Sequence, residues 1–310
     1  MSLHLVFPDK VANFMPFAFE FLQPANFFEK NFGAKRHFQT AFLNDVSSNL
    51  TADDTLIWFI DCAGEDSVEK LAKCKARKFL RAVDPSKSDR ILYKNQLALH
   101  DKVNFEGFAI CYPNKEHINF LESKNLKIIT WPHSLDFKNS PETFKKESGY
   151  ICAGQQHKEY YPDRWRLTEI LCKRFPTSGI YLPHPGFESD KLAHPYVGEK
   201  FLELLSKFCV MPVGIGINDG LHMKFVEAAY AGVLPLGLAP SYLPDEIVNC
   251  IPFSRLDPTD YVEEEIADQI SELFNNQQEL INRITKYRNY FKQEYDLTVV
   301  LNKVAKEIFR

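Results

Sequence analysis

The chain has 310 residues, 45% hydrophobic and 25% charged, with a formal net charge of -4 and a pI near 6.2. That length favours two domains, because single cores stop growing at about 250–300 residues, and the ordinary apolar content excludes extensive disorder. The slight acidity provides no basic footprint for a phosphate backbone, so nucleic acid is not an expected partner.

The front half reads as short apolar runs bounded by turn residues and separated by segments with helical spacing, the pattern of parallel strands with crossover helices. Predicted strands cover 3–7, 55–60, 78–83, 105–112 and 127–131. The phenylalanines near the start (Phe14, Phe17, Phe19, Phe21, Phe27, Phe28 and Phe32) have helical spacing, for which core packing is the default and an acceptor or lipid platform the rarer use. Segment 114–125 is a crossover helix with Ile118 and Leu121 on one face and Asn114 as its cap. The polar stretch 138–148 contains Pro141 and no apolar periodicity, which makes it the expected linker between domains 1–140 and 141–310.

The alternation then restarts. A strand at 149–153 precedes a helix at 162–175 with Pro162 at its first position. Strand 179–182, helix 197–208 and strand 210–215 follow, and then helix 221–230 ended by Gly232. After strands 233–238 and 251–253, Asp257-Pro258 opens a helix over 259–274, and two more amphipathic helices occupy 277–294 and 296–309. The seven cysteines are scattered and never spaced as CxxC, so neither a disulfide framework nor a zinc site is signalled and a reducing cytoplasm is expected. The opening residues lack a charged region leading into a long apolar stretch, and nowhere do ~18 uncharged apolar residues run together, so no membrane-spanning segment is expected.

In an open parallel sheet the ligand lies beyond the carboxyl ends of the strands, which makes the loop from Gly216 to Gly220 a prime position. Its glycines permit close backbone approach, and the free amides at the start of the next helix favour a diphosphate. Lys224 and Glu227 are three residues apart and share a helix face, while Asp219 sits just before the first turn. A carboxylate accepts hydrogen bonds from two vicinal hydroxyls, so Asp219 and Glu227 could grip two different sugars of one ligand. The bland alternative is an ordinary crossover helix whose acids face water.

The stretch Asp219-Gly220-Leu221, Glu227-Ala228-Ala229-Tyr230-Ala231-Gly232 and Val233-Leu234-Pro235 resembles the retaining GT-B glycosyltransferases that carry a Glu-x7-Glu motif. Trp131-Pro-His133-Ser-Leu-Asp136-Phe137 is similar to the segment that closes the family's first domain, and 149–154 to the first strand and loop of its second. The resemblance covers residues 114–310. It implies an α/β fold of two Rossmann-like domains facing each other across a cleft, with C-terminal helices returning to the N-terminal domain. It also implies a nucleotide diphosphate sugar as donor, no bound metal or cofactor, and a saccharide or lipid-linked acceptor on the N-terminal side. Glu227 takes the ribose role and Asp219 the donor-sugar role, the departure being Asp where the family has Glu.

The loop Gly154-Gln155-Gln156-His157-Lys158 and the following Arg164 and Arg166 lie where that family places a cation against the diphosphate. Gln155, Lys158 and Arg164 are therefore donor-binding candidates beside Gly220, Leu221 and Lys224, with Arg164 slightly preferred over Lys158 and Arg166 as the diphosphate cation, since an Arg offers a fork suited to phosphate oxygens. His133, at a strand end, is the candidate catalytic imidazole next to Asp219, although a lone histidine is more often structural. Asp61 and Asp84 end strands of the first domain, where an inverting enzyme would keep a general base. Rival readings are a sugar-nucleotide epimerase on the same scaffold and a catalytically silent nucleotide-sugar-binding module. Peripheral attachment to the inner face of a membrane needs only a small patch that composition does not show.

Overall fold

The computed structural model describes residues 2–11, 19–59, 64–82, 93–141, 149–183, 198–216 and 219–310, apart from the side chains of Val11 and Phe19. The chain divides into two compact units, one of Met1–Pro132 with Val300–Arg310 and one of His133–Val299.

The first unit runs β1 (Leu3–Phe7), α1 (Phe19–Phe32), β2 (Lys35–Phe38), α2 (Gln39–Ala41), β3 (Thr55–Trp58), α3 (Glu65–Lys73), β4 (Arg77–Ala82), α4 (Lys94–Val103), β5 (Gly107–Ile110), α5 (Lys115–Glu122) and β6 (Lys127–Thr130). Its strands form one parallel sheet in the order β2-β1-β3-β4-β5-β6. The inner strands β1, β3 and β5 are buried along their whole length, as parallel strands covered by crossover helices must be. Successive side chains serve opposite faces. Val6, Trp58, Leu80 and Phe108 join the core on one face, whereas Phe7, Phe28, Phe59 and Trp131 build an aromatic layer on the other, with ring centroids 4.4–5.7 Å apart. Phe27 and Phe28 of α1 are core residues, and the partly exposed Phe32 stacks on Phe309; Phe14 and Phe17 lie outside the described residues. The polar edge strand β2, Lys-Arg-His-Phe, has no apolar run to announce it.

The second unit runs β7 (Tyr150–Ala153), α6 (Pro162–Arg174), β8 (Gly179–Leu182), α7 (Glu199–Leu205), β9 (Val210–Pro212), α8 (Met223–Ala231), β10 (Leu234–Leu236), α9 (Asp245–Val248), α10 (Glu263–Asn275) and α11 (Gln277–Glu294), with α12 (Leu297–Ile308) ending in the first unit. Its sheet is parallel in the order β10-β9-β7-β8. Because β8 lies on one side of β7 and β9 on the other, the chain reverses direction across the sheet between β7 and β9. That gap is the topological switch point, where open α/β sheets bind ligands at the carboxyl ends of the strands.

Two expected strands differ. Residues 251–253 form a turn, since Pro252 has no N–H to give a ladder and Phe253 takes φ +64. Strand 210–215 stops at Pro212, because Gly214 adopts φ +67 and leads the chain out of the sheet. Segment 137–140 packs within the second unit, where Arg288 donates to Ser140 Oγ at 2.7 Å. Among the described residues no helix is long and apolar enough to cross a membrane.

Candidate functional site

The two loops at the β7/β9 switch point are held together by the first turn of α6. Tyr161 precedes Pro162, whose fixed φ suits the first helical position, so Asp163 and Arg164 enter the helix at once and both are buried. Arg164 Nη1 donates to the Gln155 carbonyl in the loop after β7 at 3.2 Å, and its Nε donates to the Val213 carbonyl after β9. Its guanidinium lies 4.1 Å from the centroid of the Tyr161 ring. Burial pulls its pKa below the ordinary arginine value, against the charge-favouring pull of Tyr161, Asp163 and Glu227. Arg164 thus acts as a clamp between the two loops.

Asp163, which sequence reasoning did not single out, performs the matching task on the other side. The Leu238 N–H after β10 donates to its Oδ2 at 2.9 Å. Gly214, at φ +67, and Gly237, at φ +111, press on the same carboxylate so closely that a Cβ at either position would collide with it. Burial raises the Asp163 pKa, and hydrogen bonds from the Leu238 and Arg164 backbones oppose that rise.

Above this frame sit Lys224 and Glu227 of α8. Glu227 is buried and accepts a hydrogen bond from Lys224 Nζ at 2.6 Å, and the same ammonium lies 4.1 Å from the centroid of the Phe201 ring. Gly154, the residue that turns the chain away from β7 at φ +93, is wedged between the two cations. A Cβ there would meet Arg164 Nη1 at 3.2 Å and Lys224 Cε at 3.5 Å. Glycine at this point therefore lets backbone approach where a carboxylate and two cations converge. Amides leading into α8 that the sequence suggests are free have acceptors: Gly220 N donates to the Ile215 carbonyl at 3.1 Å, Leu221 N to the Tyr242 hydroxyl at 2.9 Å and His222 N to the Gly220 carbonyl at 3.0 Å, with His222 capping the helix in extended conformation. Gly220 and Leu221 are both buried in this turn, and His222 Nε2 contacts the Ile215 carbonyl at 2.7 Å.

The other candidates take different places. Asp219 stands just before α8 at φ +47, a left-handed conformation that Asp tolerates better than most residues, and its carboxylate accepts from Ser241 N at 2.9 Å and from Ser241 Oγ. Lys158 is exposed with its ammonium 4.5 Å from the centroid of the Trp165 ring, and the exposed Gln155 reaches the clamp through its carbonyl. Arg166 faces Glu169 at 3.5 Å on the outer side of α6. His133 is buried near the start of the second unit, on a stretch separate from the two loops. Asp61 and Asp84 lie outside the described residues. Among the described residues no group of three or more His, Cys, Asp and Glu side chains is placed to hold a metal ion.

No protein-family model and no curated protein matches the chain. Solved structures do. The chain is similar to an alpha-glucosyltransferase in complex with UDP and DNA containing an HMU base, at 11% identity and TM-score 0.65 over 100% of both chains. It is similar to Anabaena HepE in complex with UDP-glucose at 9% identity and TM-score 0.61, over 100% of this chain and 99% of that one. It also matches TarM at 14% identity and TM-score 0.59, covering 84% of this chain but 55% of TarM, so the chain spans little more than half of that protein's length. With two all-parallel sheets, interleaved helices and these neighbours, the fold of this chain is GT-B, built from two Rossmann-like α/β units.

Proposed function

We propose that the chain transfers a glycosyl group from a nucleotide diphosphate sugar bound at the β7/β9 switch point of the second unit. The observation that carries this reading is the convergence of Lys224, Glu227 and the Gly154 backbone turn at that point. Glu227 accepts hydrogen bonds from the vicinal ribose hydroxyls, as the Glu-x7-Glu resemblance implies. Lys224 and the first amides of α8 meet the diphosphate, whose negative charge grows as the glycosidic bond breaks. Arg164 strengthens the local positive potential while holding both loops, and Asp219, with Ser241 on its carboxylate, fixes the turn that presents α8 to the donor sugar. His133 is assigned to the reacting end of the donor, and Gln155, Lys158, Gly220 and Leu221 to the rim of the donor site. UDP or UDP-glucose accompanies two of the neighbours, which makes uridine the first base to test. The resemblance further supports transfer with retention to a saccharide or lipid-linked acceptor on the first unit. DNA, which is present in the complex of one neighbour, has no counterpart in the net charge of -4.

Incubating the protein with a panel of nucleotide sugars tests the reading. Slow release of nucleoside diphosphate, accelerated by an acceptor, is the expected result. Interconversion of two sugar nucleotides would establish an epimerase instead, and binding without turnover a silent module.

A further inference from the structure

The loop after β7 is tied to the switch point at both ends. Near its start the Gln155 carbonyl accepts from Arg164 Nη1 at 3.2 Å. Near its end the Tyr160 and Tyr161 amides donate to the His157 carbonyl. There a Cβ on Gly216, in the loop after β9, would lie 2.9 Å from Tyr161 Cε1 and 3.2 Å from the Tyr160 carbonyl. Between these ties stands Gln156. Its Oε1 and Nε2 are both enclosed, and among the described residues neither has a hydrogen-bond partner. A primary amide offers two N–H donors and a carbonyl acceptor. Burying it unpaired forfeits the hydrogen bonds that water would supply, a cost that folded chains rarely accept. The arrangement also inverts the usual one, in which an apolar stem is covered and a polar tip stays wet. Gln156 as a whole is half-buried, so what exposure it has lies on its backbone and stem rather than on its amide. Four residues on, the Tyr160 ring is exposed, with the His157 imidazole edge-on at 4.7 Å.

We propose that Gln156 reads the glycosyl group of the donor, its amide turning about the side-chain torsions to pair with two neighbouring sugar hydroxyls. A hydroxyl both donates and accepts, so a vicinal pair satisfies Oε1 and Nε2 together. An oxyanion presents acceptors alone and would leave Oε1 unpaired, which sets Gln156 apart from the cations beside it. The position agrees. Gly154, two residues earlier, lies against Lys224 and Arg164, the cations of the diphosphate end, and the glycosyl group is bonded to that diphosphate, whereas the nucleoside is assigned to Glu227 on α8. The exposed Tyr160 ring supplies an apolar face of the kind that ligand sites combine with a few placed polar groups. Pairing with the sugar also relieves the unmet amide, which favours the bound pose. The proposal rests on the transferase reading above and deepens it, by naming a residue that selects the sugar.

The test titrates the full-length protein by calorimetry with UDP, UDP-glucose, UDP-galactose and UDP-N-acetylglucosamine, using Gln156→Met and Gln156→Glu as variants. For the sugar nucleotide that the parent binds most tightly, the ratio of its Kd to that of UDP should rise about 10-fold in Gln156→Met, while the Kd of UDP itself stays unchanged. In Gln156→Glu, whose carboxylate still accepts from hydroxyls, the ratio rises less. The ratio is internal to each variant, so a general loss of folded protein does not move it. The Tm of Gln156→Met should equal or exceed the parent's, because the substitution removes a buried unpaired amide. A Tm several degrees lower would show that the amide serves the fold, and overturns the proposal. An unchanged ratio overturns it too, and where UDP weakens equally the residue belongs to the nucleoside or the diphosphate. Release of UDP from a sugar nucleotide by Gln156→Met at an unchanged ratio upholds the transferase and sinks the role of Gln156. A parent that binds neither UDP nor any of the three sugar nucleotides removes the uridine donor and this proposal together.

Discussion

Replacing Gly154 by alanine probes the proposed donor site through its backbone. At φ +93 an L-residue stores about 1–3 kcal/mol of strain. The new methyl would also lie 3.2 Å from Arg164 Nη1, tighter than ordinary van der Waals contact, and 3.5 Å from Lys224 Cε. Arg164 has little freedom to retreat, because two backbone carbonyls hold it. Lys224 can swing away, but only by leaving Glu227 and the Phe201 ring. A combined cost of about 2 kcal/mol is expected, which for a unit of this size lowers Tm by roughly 4–8 °C. Affinity for UDP should fall ~10-fold, equivalent to about 1.4 kcal/mol. Gly33→Ala is the control: it shares a positive φ, +61, with nothing within 4 Å of its would-be Cβ, so it carries backbone strain alone and leaves UDP binding intact. Thermal unfolding and UDP calorimetry on both variants decide the matter. If Gly154→Ala costs no more than Gly33→Ala and binds UDP as the parent does, the packing of two cations around the Gly154 turn is refuted.

Three further outcomes follow from the same structure. Lys224→Met should weaken UDP binding ~10-fold while uridine, which has no phosphate, loses far less in the same titration. Asp163→Ala strands the Leu238 N–H and should destabilise the protein by about 1–3 kcal/mol. Once that carboxylate is gone Gly214→Ala meets less obstruction, so the double variant should be less damaged than the two single costs added, by chemical denaturation. In the first unit burial, reinforced by His37 and Lys35, lowers the His4 pKa from 6.5 to about 4. The unfolded chain then binds the proton more readily, so stability is full above pH 6.5 and declines as pH falls towards 4, by up to about 3 kcal/mol for this group. His4→Leu should flatten that part of a stability–pH curve, and an unchanged slope would contradict the assignment.

Much of this architecture was legible in the sequence wherever one local signal decided the outcome. The apolar run of β1 has the expected bounds, Asn114 accepts from His117 N at 2.8 Å as a cap should, Pro162 opens α6, and Gly232 ends α8 at φ +65. The eight-residue spacing from Asp219 to Glu227 spans a turn and α8, but it could not reveal that Ser241, brought in from the segment after β10, occupies the Asp219 carboxylate. Arg164 read as an arginine near a phosphate loop, whereas its burial and its two backbone acceptors come from β7 and β9 lying side by side. The Asp163, Gly214 and Gly237 contact joins residues far apart in the chain, and no periodicity encodes it. Gln156 was hidden for a related reason: within its loop it looks like one more polar residue, and only the packing of the loop shows that its amide is enclosed.

The proposed donor site stands or falls on Glu227. Titrating the parent and Glu227→Ala with UDP-glucose by calorimetry tests its proposed ribose role directly, since a buried carboxylate bonded to two hydroxyls is worth about 1.5–3 kcal/mol, or roughly 10- to 100-fold in Kd. The account predicts a loss of that size in a variant that still unfolds cooperatively. A Glu227→Ala protein that binds UDP-glucose as tightly as the parent would contradict it.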